Sequence, residues 1–168
     1  MNILRLTPSA ASQYRELMLA AYALHPDAFT SSAAERAALP PTWWQARLAE
    51  GDDAKEIVLA ALDGEQIVGV VGLSFETREK LQHKATLFGM YVPQQQRGRG
   101  LAQQLVQAAL DYLRQMRQIK LVQLTVSQGN LAAEKLYTHA GFVTFGIEPM
   151  AVALTQGYAT KLHMWREV

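Results

Sequence analysis

Just past the middle of the chain stands the segment Val92-Pro93-Gln94-Gln95-Gln96-Arg97-Gly98-Arg99-Gly100-Leu101-Ala102. It is too polar and too rich in glycine for regular structure, and it joins two different patterns. Ala85 to Val92 ahead of it reads as a strand. Behind it opens an amphipathic helix whose inner stripe is Leu101, Leu105, Ala109, Tyr112 and Met116. A joint of this kind gathers several backbone N–H groups in one concavity, and the helix dipole adds partial positive charge there. Glycine keeps side chains out of the way, so an anion can reach the backbone. The place suits a pyrophosphate; taken alone, it equally suits a plain strand-to-helix connection.

Working outward, Ile57 to Leu62 is apolar and partly β-branched, and reads as a buried strand. Asp63-Gly64 marks a tight turn into Gln66 to Phe75, so the two strands form a hairpin. A polar loop around Arg78 to His83 leads to the strand ending at Val92. Near the amino terminus, Ile3 to Leu6 reads as a short strand. Thr7-Pro8 supplies an N-cap and a first-turn proline for a helix over Ser9 to Leu24, where Tyr14, Leu17, Met18 and Ala21 recur at helical spacing. Pro26, Pro40 and Pro41 interrupt His25 to Glu50, leaving one or two short helices that carry Phe29, Trp43, Trp44 and Leu48. On the carboxy-terminal side, Leu121 to Val126 is a strand, Asn130 caps a short helix through Ala140, and Gly141 closes it. Phe142 to Ile147 and Tyr158 to Arg166 complete the set. The order β-α-α-β-β-β-α-β-α-β-β predicts an α/β fold, a mixed sheet with helices on both faces. The 168 residues are expected to form one domain.

Composition narrows the chemistry. The chain has no cysteine, which excludes disulfides, thiolate metal sites and cysteine nucleophiles together. A net charge of +1 carries no general attraction to nucleic acid or anionic membrane. No run approaches the roughly 20 apolar residues of a membrane span. Met1-Asn2-Ile3-Leu4-Arg5 lacks the apolar core of a signal peptide, so a cytoplasmic address is expected. His25, His83, His139 and His163 do not cluster by spacing, and no metal site is expected.

A second signature lies in Asn130-Leu131-Ala132-Ala133-Glu134-Lys135-Leu136-Tyr137, followed by Gly141-Phe142. With both in hand, the chain resembles the GNAT acetyltransferases, acetyl-coenzyme A-dependent N-acyltransferases built on a mostly antiparallel central sheet. The family's coenzyme A loop, Arg/Gln-x-x-Gly-x-Gly/Ala, is matched by Arg97, Gly100 and Ala102. Gln95, Gly98 and Gly100 give a second alignment; the first keeps the family's distance from Val92. The resemblance covers Ile57 to Phe142 well and the flanks more loosely.

It implies roles residue by residue. Met90, Tyr91 and Val92 would lie on a splayed strand whose backbone pairs with the pantetheine arm and polarises the acetyl carbonyl, where charge builds as an amine attacks. Gly98, Arg99, Gly100, Leu101, Ala102 and Gln103 would cradle the pyrophosphate through backbone amides. The side chains of Arg97 and Arg99 would add charge there or remain solvated. Asn130 would cap its helix and contact the cofactor arm. Tyr137 stands where the family's general acid protonates the departing thiolate. It lies seven residues after Asn130, two turns along and facing nearly the same way. Without the resemblance, Tyr137 reads as a core aromatic.

One position departs from the pattern. Some members carry a glutamate base five residues before the motif asparagine; here that residue is Thr125. Glu76, His83, Glu35, Glu148 or a chain of waters are the substitutes in view. Trp43 and Trp44 read as core and groove packing, although the family builds its acceptor wall from this region. The implied reaction is direct attack on acetyl-coenzyme A, without a metal, by a primary amine of a small molecule or peptide. The protein could act alone or as a homodimer. Two other functions stand beside this one. A non-catalytic acyl-coenzyme A sensor on the same fold is left open by the missing glutamate. A nucleic-acid module on Arg97-Gly98-Arg99-Gly100 lacks interleaved aromatics and a wider positive footprint.

The loop reading makes the first prediction. Gly100→Val should abolish coenzyme A binding and leave the fold largely intact, because a β-branched side chain takes the pyrophosphate's space and stiffens the backbone. Calorimetric titration of the folded variant measures this, and unchanged affinity would remove the loop from the site.

Overall fold

The computed structural model describes residues 2–51 and 53–168. Its strands are β1 (Asn2–Arg5), β2 (Glu56–Asp63), β3 (Gln66–Phe75), β4 (Lys84–Tyr91), β5 (Leu121–Ser127), β6 (Val143–Ala153) and β7 (Tyr158–Glu167). The helices are α1 (Ala11–Leu24), α2 (Ala33–Ala37), α3 (Pro41–Ala46), α4 (Leu101–Gln115) and α5 (Leu131–His139). The strands form one sheet in the order β1-β2-β3-β4-β5-β7-β6. Every ladder is antiparallel except β4 with β5. That pair is parallel because α4 carries the chain back across the sheet between them.

Period-2 alternation deals the side chains to two cores. Ile57, Val71, Leu73, Leu87, Val122 and Leu124 face α4 and α5 on one side. Val58, Ala60, Val70 and Tyr91 face α1 and α3 on the other, among Tyr14, Met18, Trp44 and Leu48. Strand residues of this second core come from β2, β3 and β4. On β5 the same face is left open, and Thr125 is exposed there.

The decisive irregularity lies in β4. Val70 of β3 pairs with Tyr91, but Gly72 pairs with Phe88, so β4 takes three steps where β3 takes two. Gly89 absorbs the extra residue at φ 58°, a conformation that other residues adopt only under strain. A bulge of this kind bends its strand and sharpens the local twist. Accordingly β4 and β5 pair only from Lys84–Leu121 to Thr86–Gln123, and beyond that they part as a wedge.

Three local expectations shift. Thr7 does not cap α1: its hydroxyl pairs with Ser9 at 2.8 Å, and a 3-10 turn over Pro8–Ala10 comes first, so the α-helix begins at Ala11. On α4, Leu101, Leu105 and Ala109 are buried as expected, but burial then moves to Leu110 and Leu113, with Tyr112 half-buried. The apolar face is broader than a single line of residues. Finally, β6 runs on past Ile147 to Ala153. It is an edge strand, where Pro149 removes no ladder bond that the sheet needs, and the register shifts between Glu148 and Val152.

The ring of Phe88 occupies the place of a side chain at Gly72: a Cβ there would come within 2.4 Å of it. Gly72→Ala is expected to cost about 1–3 kcal/mol by overpacking, read as a lower urea midpoint. In a Phe88→Ala background most of that penalty should vanish, so the cycle is non-additive. Simple additivity would mean that the ring does not fix this register.

Candidate functional site

The wedge between β4 and β5 opens into two cavities. The larger, about 770 Å³, is lined by Met90, Tyr91 and Val92 from the end of β4, by Arg97, Gly98, Gly100, Leu101, Ala102 and Gln103 from the loop and first turn of α4, and by Asn130 and Ala133 of α5. Gly100 is the N-cap of α4 with φ 71°, and no side chain caps the helix there. The first-turn amides therefore meet the cavity instead of a protein acceptor.

The structure brings together all the residues expected to hold a cofactor except Arg99. The Arg99 guanidinium turns outward and donates to Gln96 Oε1 at 3.3 Å. Arg97 does line the cavity, with its side chain bent back as a brace: Nε donates to the Val92 carbonyl at 3.0 Å, and a terminal nitrogen lies 3.2 Å from His25 Nε2. Asn130 caps α5, its Oδ1 accepting from the Ala133 N–H at 3.2 Å.

The second cavity, about 380 Å³, lies across the wedge. Thr86 to Met90 and Gln123 to Ser127 form its sides, with Tyr137, Phe145, Lys161 and His163 around them. The two cavities share Ala28, Phe29, Met90, Ser127, Asn130, Ala133 and Leu136, so they adjoin at the wedge. Tyr137 belongs to the second. It is 6% exposed and stands edge-on to Phe142, ring centroids 5.8 Å apart. Burial pushes its phenol well above the ordinary tyrosine range. The hydroxyl therefore keeps its proton at any pH near neutral, as a donor must.

Two polar arrangements in this chamber escaped the sequence reading. Lys161 is 4% exposed, and its Nζ donates to Ser127 Oγ at 2.8 Å and to the Ala28 carbonyl at 3.3 Å. The Ser127 hydroxyl in turn donates to the Asp27 carbonyl. These bonds clamp the segment after α1 onto β5 and β7. The second arrangement is His163, whose Nε2 lies 2.7 Å from Glu148 Oε2 on β6. The Phe145 ring packs edge-on against it at 5.9 Å. Lys161 and His163 are two apart on one strand and so share a face, but their partners come from other strands, which spacing alone does not reveal.

The other expected bases lie elsewhere. Glu76 pairs with Arg78 at the surface, and Glu35 closes a capping box with Ser32, whose bonds lower its carboxyl pKa. His83 is in the loop before β4 and lines neither cavity. Glu148 reaches the chamber only through His163. Trp43 and Trp44 also stand apart. Trp44 is buried against Tyr14, and Trp43 lies under the guanidiniums of Arg36 and Arg47. Neither indole lines the two cavities, whereas Phe29, in the segment that the clamp holds, lines both. Among the described residues no group of three or more His, Asp or Glu is arranged to hold a metal, and no helix is long and apolar enough to cross a membrane.

Residues 16–142 match the sequence profile of the Acetyltransferase (GNAT) family. The chain belongs to that family. Among curated relatives it is similar to the L-amino acid N-acetyltransferase AaaT of Escherichia coli strain K12, 31% identical over 99 residues. That match covers 59% of this chain, and the chain spans 59% of the length of the relative. The fold is shared along nearly the whole chain with a GNAT acetyltransferase from Streptococcus pneumoniae, at TM-score 0.89 and 21% identity over 99% of both chains. The yncA protein of Salmonella typhimurium, solved with its cofactor acetyl-CoA, superposes at TM-score 0.81 with 17% identity, over 99% of this chain and 93% of the other. The seven-stranded, mostly antiparallel sheet of this GNAT chain is the one that the two motifs implied.

The clamp yields a prediction about pH. Burial holds the Lys161 ammonium below its ordinary value of 10.5, against the opposing pull of Asp27 and Glu148. Between the lowered folded value and 10.5 the unfolded chain binds more protons, so stability rises with pH through that window. Lys161→Met should remove this contribution. Urea denaturation at several pH values below 10.5 should show the parent gaining on the variant as pH increases, and a parallel pair of profiles would contradict it.

Proposed function

We propose that the protein is an N-acetyltransferase that moves the acetyl group of acetyl-coenzyme A directly onto a primary amine. The observation that carries this reading is the pair of cavities adjoining at the β4–β5 wedge, one lined by helix-start amides and the other by a buried, protonated tyrosine. In this reading the amides of Gly98 to Gln103 hold the pyrophosphate, Arg97 braces that loop, and Arg99 supplies only distant charge. Met90, Tyr91 and Val92, which have no partner on the β5 side, offer backbone groups to the pantetheine arm and the acetyl carbonyl. Asn130 fixes the start of α5 beside that arm, and α5 carries Tyr137 to the far side.

The amine nitrogen attacks the thioester carbon, the C–S bond breaks, and the Tyr137 hydroxyl gives its proton to the leaving sulfur. No metal takes part. The acetyl-CoA held by the Salmonella protein supports the co-substrate, and the name of the Escherichia coli relative makes L-amino acids the first acceptors to assay. Exposed Val143, Phe145, Ile147 and Met150 along the edge strand β6 support a homodimer, since such an edge invites pairing. An acyl-coenzyme A sensor would bind the same ligand but turn nothing over.

Tyr137→Phe tests the chemistry. The turnover number should fall about 10²-fold, the lower end for general acid catalysis because thiolate leaves readily. Acetyl-coenzyme A affinity should hardly change. A core role would instead lower the thermal midpoint and preserve activity per folded molecule. Full turnover in the variant returns Tyr137 to the core.

A further inference from the structure

The acceptor amine reaches the protein largely as an ammonium ion at neutral pH, and it must lose a proton before it can attack. Among the described residues, three titratable side chains line the smaller cavity: Tyr137, Lys161 and His163. Tyr137 holds its proton tightly and is a donor. The Lys161 ammonium is committed as a double donor to Ser127 and Ala28. Thr125, the partner of His163 across the β5–β7 ladder, has no group that ionises in this range.

His163 is different in kind. Its Nε2 faces the Glu148 carboxylate at 2.7 Å, and a carboxylate only accepts, so the neutral ring carries its hydrogen on Nε2. That leaves Nδ1 with an open lone pair, for which the described residues supply no donor. Phe145 packs edge-on against the ring from the side. The side chain is about one-third exposed, so a proton taken up there has a route to solvent.

We propose that His163, oriented by Glu148, is the general base that deprotonates the acceptor amine in this cavity, directly or through one water. This rests on the N-acetyltransferase reading above. The ammonium nitrogen gives one proton to Nδ1, and the resulting imidazolium is stabilised by Glu148 and passes that proton to solvent. The neutral amine then forms the N–C bond as the C–S bond breaks. The nitrogen sheds a second proton as the amide forms, which balances, through solvent, the proton that Tyr137 gives to sulfur. The net products are amide, coenzyme A thiol and one proton. The charged groups facing the ring are Glu148 from β6 and Lys161 from its own strand, with Asp27 beyond Lys161 and neutral Tyr137 from α5. Glu148 acts as a positioning residue.

The experiment measures steady-state turnover of the parent, His163→Gln, His163→Ala and Glu148→Gln across pH 6 to 9, with acetyl-coenzyme A and an acceptor drawn from the common L-amino acids and spermidine. Coenzyme A titration and thermal midpoint confirm that each variant is folded and loaded. His163→Gln should lower kcat about 10²-fold or more near neutrality. That deficit should shrink about tenfold for each pH unit as the amine deprotonates unaided. Added imidazole should partly restore His163→Ala. Glu148→Gln keeps an acceptor but no charge to stabilise the imidazolium, and should lose about tenfold in kcat with KM little changed. Turnover of His163→Gln within about threefold of the parent, or a deficit independent of pH with no imidazole rescue, would overturn the assignment. If the parent turns over none of these amines, the acetyltransferase reading itself falls. Normal parent turnover beside an unaffected His163 variant removes the base alone.

Discussion

A sheet gains its stability by pairing every backbone N–H with a carbonyl, and this one forgoes that pairing in its middle. Beyond Thr86 and Gln123, β4 and β5 separate, although both continue as strands. Unpaired backbone groups away from water are costly, and few proteins leave them without a substitute partner. The bulge at Gly89 starts the separation, and the elements on either side keep it from closing. The start of α4 stands at one mouth, α5 lies across the gap, and the Lys161–Ser127–Asp27 bonds hold the segment after α1 against the other side. The orphaned strand edges are thereby turned toward the two cavities.

The division of labour between the two cavities follows from the chemistry on their walls. One has helix-start amides and an arginine brace, which suit an anion. The other holds Tyr137, kept protonated by burial, and His163, whose tautomer is set by Glu148. Burial and a carboxylate neighbour thus set two side chains of one cavity in different surroundings, a phenol shut off from water and an imidazole open to it. Shared residues such as Phe29 and Met90 keep the two chemistries adjacent without merging them.

What the sequence disclosed and what it hid divide along contact range. The Asp63-Gly64 hairpin, the polar joint running into α4, and the Asn130 cap are written in consecutive residues, and so were legible. Tyr137 stood out only through the family resemblance, and it lines the second cavity. The clamp and the His163–Glu148 pair were not legible, because they depend on β7 inserting between β5 and β6, a register set by long-range packing. Thr125 stands where some members carry a glutamate, and its partner across the ladder, His163, lines the same cavity. The tryptophans were read as core and groove packing, and Trp44 does lie in the core. Their side chains are apolar enough for a groove or a core, and only the packing of α3 on α1 decides.

The contact between Phe88 and Gly72 has a consequence for how such a chain can change over time. The ring and the vacant glycine face act as a key and a lock that sets where β4 begins to bend. The polar loop of residues 76–83 between the two strands can therefore lengthen or shorten without disturbing the wedge, provided that the lock re-engages. An insertion inside either strand moves the key off its lock by one residue and turns every later side chain of that strand to the opposite face. Changes of length are thus absorbed by the loop, and the mouth of the wedge keeps its register.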